Sequence, residues 1–308
     1  MEKYRKFADS GTGVNPYLPI HLTTSRTHSR IANCISKVIL LLLVVLRAPL
    51  IMLWCVLCGI VDVLFMIPII STTLVKPILR PLVSLLGLIL LGVLTRPKIV
   101  VEDFRRMRMK RPTNECYTSG DVVFSPYFGF VDLLVHSITT QPSCYIFKTS
   151  KTGEWVVFHS LILAMYACHS GAVSVAGKPI RSKLKNALVF LHNVPSNGLG
   201  ILKLDTSSFA SLANEKPFQI VKINYYANGY GPHHVVGSFV QHIFSLLVRN
   251  TFTTANVVAL PEPVSDIAAI PSLLSRLSES CPETLVTEQS YHDFLSYWNS
   301  TQNISYLR

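Results

Sequence analysis

Residues 38–70 are apolar almost without interruption, and only Arg47 and Asp62 carry charge there. As one helix this block would be about 50 Å long at 1.5 Å per residue, against roughly 30 Å for the hydrocarbon core of a bilayer. It lacks the polar face that a soluble helix keeps, so it reads as membrane-embedded, with Pro49 as a kink point. Residues 82–94 form a second apolar block, too short to span alone and suited to a re-entrant or interfacial position.

Past Arg96 the apolar runs shorten and change period. Residues 98–101, 121–124, 144–147, 172–175, 218–226 and 257–260 read as strands. Residues 133–138 open a helix and 155–166 read as an apolar helix, while Val236, Phe239, Val240, Ile243 and Leu247 recur at helical spacing. Two terminal helices are expected over 266–280 and 283–298. Strands alternating with helices predict an α/β fold, with a mainly parallel central sheet and flanking helices, preceded by an N-terminal membrane hairpin. The division predicted is a polar arm on the membrane surface (1–30), a membrane hairpin with an interfacial segment (31–95), and an α/β domain with C-terminal helices (96–308).

Charge decides how the apolar blocks sit. The net charge is +11, and much of it flanks these blocks: Arg26, Arg30 and Lys37 before, Lys76 and Arg80 between, Arg96 and Lys98 after. Short basic flanks stay cytosolic, so a hairpin entering and leaving from the cytosolic side is expected, with an odd number of spans as the alternative. A hairpin without a polar lumenal loop also suits a lipid monolayer. Juxtamembrane Lys and Arg attract anionic lipid, which makes membrane lipid a better partner than nucleic acid; the same charges serve equally to fix topology.

The seven cysteines are scattered and suggest no disulfide framework, as suits a cytosolic domain. Cys55 and Cys58 have ligand spacing but no second pair, so packing is expected rather than metal. Asn299 and Asn303 head glycosylation patterns that a cytosolic C-terminus would leave unused.

Candidate chemistry lies in three blocks, residues 124–132, 171–178 and 190–209. Asp132 is either an active-site acid or a helix N-terminal acid favoured by the dipole. Tyr127 is either a functional group or an aromatic lining a pocket with Phe128 and Phe130. His136 reads as structural, and His233 and His234 as exposed loop residues. Lys178, Arg181, Lys183 and Lys185 form a basic loop that either meets phosphates or is simply solvated.

Phe190, SNGLGILKLDTSSF at 196–209 and PFQIVKINYYAN at 217–228 resemble, in order and spacing, the glycerophospholipid acyltransferases. GTGVNPYLP at 11–19, ahead of the apolar hairpin, narrows the likeness to fungal lysophosphatidic acid:oleoyl-CoA acyltransferase-like proteins of the endoplasmic reticulum and lipid droplets. The resemblance implies acyl transfer from acyl-CoA, as co-substrate, to a lysophospholipid on the cytosolic face. It implies no bound cofactor, no metal and no covalent intermediate. Asn197, Gly198, Lys178 and Lys203 are the substrate-binding positions it suggests.

In the family's His-x4-Asp pair the acid falls on Asp132 and the His on Tyr127, whose phenol, ordinarily near pKa 10, is a poor base. The family's Glu in the second block falls on His192. His192 is therefore expected to supply the base, with the Asp132 carboxylate within about 3 Å to hold its tautomer; the alternative is a surface-loop histidine. If the chemistry is lost, the fold would serve as a lipid-binding or adaptor protein.

Overall fold

The strands are apolar at consecutive positions because both faces of the sheet are covered. Val123, Tyr145, Phe147, Leu188, Phe190 and Val221 face one core. Their neighbours Phe124, Ile146, Val189 and Ile220 face another. The computed structural model describes residues 2–19, 30–95, 99–103, 108–110, 122–149, 153–170, 178–179, 186–205, 209, 217–227, 231–249, 252–260, 263–277 and 281–305.

The parallel centre consists of β4 (Val122–Ser125), β5 (Cys144–Lys148), β8 (Ala187–Phe190) and β9 (Phe218–Ala227), in the spatial order β9-β4-β8-β5. β6 (Trp155–Phe158) and β7 (Lys178–Pro179) extend it antiparallel beyond β5. On the other side β10 (Thr253–Ala259) runs antiparallel to β9. The far edge of β10 carries, one after the other, β1 (Val93–Thr95) and β2 (Ile99–Asp103), and β3 (Arg108–Lys110) closes that end. The α/β class with a mostly parallel mixed sheet is as expected.

The first core is roofed by helices that the sequence assigned to the membrane. Helix α1 (Arg30–Phe65) is 36 residues long, or about 54 Å. A helical turn α2 (Pro68–Ile70) and a π-helical segment (Ser71–Leu79) lead into α3 (Arg80–Leu90). α1 and α3 pack antiparallel: Trp54 Nε1 donates to the Val83 carbonyl at 2.8 Å, and Asp62 lies 3.8 Å from Arg80. Gly87 is required there, since a Cβ would stand 2.5 Å from the Trp54 ring.

Ile51, Trp54 and Cys58 are buried in the same core as α4 (Phe130–Thr139), α5 (Leu161–Ser170) and α6 (Phe239–Arg249), and Val61 continues the buried stripe. The opposite face, including Met52, Leu53, Val56, Ile60 and Val63, is exposed. Residues 51–65 are thus amphiphilic in a different sense, with one apolar face to protein and one outward. Asp62 seals the junction by accepting from Ser160 Oγ and from the Leu161 and Ile162 amides at 2.6–3.0 Å, which caps α5. The 31–95 block therefore supplies one layer of the α/β domain.

Helix α7 (Ile270–Arg276) covers the second core. Helix α8 (Gln289–Ser305) packs against the arm, whose Tyr4 and Tyr17 share a third cluster with Phe294. The arm thus lies on the folded domain, where the sequence placed it on the membrane surface.

Two helix assignments also change. Residues 155–158 are a strand, because they pair with β5, and only 161–170 are helical. Residues 283–288 precede α8 outside the helix, since Ile201 and Lys203 hydrogen-bond to Pro282, Thr284 and Val286. The expected strand at 172–175 lies outside the described residues.

Candidate active site

β4, β8 and β9 end on one side of the sheet, where parallel α/β sheets place their ligands. The segment 126–129 leaves β4 there, beside the segment 191–197 that leaves β8, and Leu191 N donates to the Ser125 carbonyl at 3.0 Å.

Asp132 sits in the first turn of α4 and is buried. Its Oδ2 accepts from the amides of Phe128 at 2.6 Å and Gly129 at 3.1 Å, and its Oδ1 accepts a short hydrogen bond from Tyr225 of β9. Burial outweighs these donors and pushes the carboxyl up to about 7. The Tyr225 phenol is raised well above its usual value by burial and then by Asp132. The geometry is that of a helix N-terminal acid locked to the neighbouring strand. Tyr127 is buried edge-on to Phe147 and Phe190, with ring centroids at 5.9 and 5.4 Å.

His192 does not meet Asp132, so the expected dyad is not formed. The residues following β8 carry His192 toward the C-terminal segment, where Glu288 Oε1 lies 3.4 Å from its Nδ1. That approach is too poorly aligned for a hydrogen bond, and neither ring nitrogen has one. The same Oε1 accepts from the Asn193 amide at 3.3 Å, which turns the carboxylate toward the histidine. His192 is buried, unlike a surface-loop residue.

These residues line a cavity of about 500 Å³ with Lys148, Lys203, Asp205 and Phe209. Lys148 Nζ reaches Asp205 at 3.2 Å across exposed ground, while Lys203 keeps its ammonium in solvent and its backbone on Val286. The cavity combines a histidine beside a carboxylate with two lysines suited to phosphate.

The other expected substrate positions are used differently. The Asn197 side chain donates to the Asn15 and Leu18 carbonyls, both at 2.9 Å, and accepts from Leu199 N at 3.0 Å, so it holds the arm. Gly198 has φ +75°, and a Cβ there would lie 2.9 Å from His233 Nε2. Lys178 lies on β7, the last strand of the sheet.

His234 is buried against the His242 ring at 4.4 Å, and His233 is wedged between Phe128 and Tyr225, which corrects their assignment to an exposed loop. Burial, and then the nearby Lys222 charge, pushes His233 down to about 4. His136 is structural, with Nε2 2.9 Å from Ser125 Oγ. Among the described residues no three His, Cys, Asp or Glu side chains group as metal ligands.

Glu288, Tyr225 and Lys148 are the site residues that sequence reasoning missed. Comparison with family models, with curated proteins and with solved structures finds no match.

Proposed function

We propose that the protein is an acyl-CoA-dependent lysophospholipid acyltransferase that converts lysophosphatidic acid to phosphatidic acid on the cytosolic face of the endoplasmic reticulum or a lipid droplet. The observation that carries this reading is the cavity in which His192 stands beside Glu288, with Lys148 and Lys203 on its walls. The His192 imidazole takes the proton of the acceptor hydroxyl as its oxygen attacks the thioester carbonyl. Glu288 stabilises the imidazolium that forms. The carbon–sulfur bond then breaks, and the departing thiolate receives the proton back from His192. The two lysines bind phosphate oxygens of the acceptor or of coenzyme A.

The apolar outer face of α1 supports the reading. α1 contains the one described helix long and apolar enough to cross a membrane. Its C-terminal end is nevertheless tied to the domain, where Asp62 caps α5. Ile51, Trp54, Cys58 and Val61 already turn one face of α1 to protein, which leaves that face unavailable to lipid. The exposed apolar faces of α1 and α3, with Val240 and Phe244 of α6, instead suit insertion into one leaflet.

A second reading, a catalytically silent lipid-binding or adaptor protein, is favoured by the structural use of Asp132 and Asn197. Purified protein in lipid, given labelled oleoyl-CoA and a panel of lysophospholipids, separates the two. The first reading expects labelled phosphatidic acid and a loss of about 100-fold in His192→Ala. No product with any acceptor would leave only the second.

A further inference from the structure

The sequence run GTGVNPYLP at 11–19 has no part in the chemistry above, yet almost every polar group in it is engaged. Asp9 Oδ2 closes the preceding turn by accepting from Thr12 N at 2.7 Å and Gly11 N at 3.2 Å. Gly13 sits at φ +70°, where a side chain would be strained. Asn15 builds an Asx turn on Tyr17 N at 3.0 Å and donates to the Tyr4 carbonyl at 3.2 Å. Asn197 grips the Asn15 and Leu18 carbonyls, and its amide donates to Pro16 at 2.8 Å.

Two bonds leave this arm for the cavity wall. Asp9 Oδ1 accepts from Leu285 N at 2.7 Å, and the buried Tyr17 hydroxyl donates to the Thr287 carbonyl at 2.6 Å. The chain bends at Leu285, and Glu288 sits in the turn after Thr287 that opens α8, where Ser290 N donates to the Thr287 carbonyl at 3.1 Å. Burial, and then the nearby Glu288 charge, raise the Tyr17 phenol, which therefore stays a donor. The middle of α8 is itself held by the arm, where Tyr4 stacks on Trp298 at 5.2 Å and Phe7 meets Phe294 edge-on at 5.3 Å.

We propose that the N-terminal arm is a positioning element of the active site, in which Asp9 and Tyr17 fix the 285–287 backbone so that Glu288 faces His192. This inference rests on the acyltransferase reading for its kinetic consequence but not for its structural one. Held only by its ladder to 201–203, the segment would let Glu288 swing toward solvent, where its side chain is already 30% accessible. The arm thus completes the cavity from the opposite end of the chain, and its continuation into α1 links that wall to the membrane-facing helix.

The test uses the full chain in lipid and Tyr17→Phe, which removes one hydroxyl and keeps the ring. Hydrogen exchange is expected to quicken at residues 285–288 and at Asn193, whose amide binds Glu288. Faster exchange at 285–288 with Asn193 unchanged overturns the coupling to His192, whether or not the protein is active. In the acyl-transfer assay kcat is expected to fall roughly fivefold, with KM for acyl-CoA little changed. Combining Tyr17→Phe with Glu288→Gln should then add little to the loss from Glu288→Gln alone. Fully multiplicative losses refute the proposal. Asp9→Asn, which keeps the shape of the turn, should show the same non-additivity and guards against a folding defect peculiar to Tyr17.

Discussion

Asp62 distinguishes a helix that crosses a membrane from one that roofs a domain, because the two roles give a substitution opposite signs. At the centre of a spanning helix an aspartate costs about 3 kcal/mol, and nearer the end, where Asp62 would sit, it costs less but still has the same sign, so Asp62→Leu would relieve it. Here the carboxylate accepts three hydrogen bonds at the start of α5 and lies 3.8 Å from Arg80, which is 1% exposed. Losing a cap of this kind costs about 1–2 kcal/mol. Arg80 keeps its bonds to the Pro142 and His159 carbonyls and its place over the Phe65 ring, so the missing counter-charge adds about 1–2 kcal/mol, less than for a close ion pair. The sum, roughly 3 kcal/mol, corresponds to a fall in Tm of about 6–12 °C for a domain of this size. Thermal unfolding of the purified protein in nanodiscs, followed by near-UV circular dichroism, measures it. An unchanged or raised Tm in Asp62→Leu would refute the packing of α1 on the domain.

Three further expectations follow from the same contacts. The Asp132 carboxyl is raised to about 7 by burial, so between pH 4 and 7 the folded state holds a proton that the unfolded chain releases, and stability should fall by about 1 kcal/mol per pH unit. Asp132→Asn should flatten that slope in denaturant unfolding, and an unaltered slope assigns it to another group. Gly198→Ala meets both a left-handed backbone and the His233 ring, and should cost about 1–2 kcal/mol in the same measurement; a neutral result denies that close approach. A glycosylation acceptor placed at Ile69, in the α1–α3 connection, should remain unmodified in sealed microsomes, because this connection lies with Asp62 and Arg80 on the side of the domain. Modification there would mean that α1 crosses.

Much of the sheet is legible in the sequence, since strands covered on both faces read as short unbroken apolar runs. The same property hides residues 155–158, where WVVF runs nearly straight into the helical LILAMYA and only pairing with β5 tells them apart. The stripe Ile51, Trp54, Cys58 and Val61 cannot be separated by composition from the outward face, because protein core and lipid ask for the same side chains. His192 is legible as a residue out of place in a likeness, but its partner is not. Glu288 comes from the far end of the chain through a segment that pairs with residues 201–203, and no local pattern announces such a contact. Asp132 reads correctly as either of two things, and the Tyr225 hydroxyl, supplied by β9, is what turns it toward the structural one.

In the proposed mechanism His192 works with Glu288 and not with Asp132. The most direct test of this pairing is the transfer of labelled oleate from oleoyl-CoA to lysophosphatidic acid by the purified protein in lipid, with Glu288→Gln and Asp132→Asn compared at equal folded concentration. Glu288→Gln is expected to lower kcat at least tenfold, and further than Asp132→Asn does. A Glu288→Gln variant as active as the wild type, beside an inactive Asp132→Asn, would contradict the pairing.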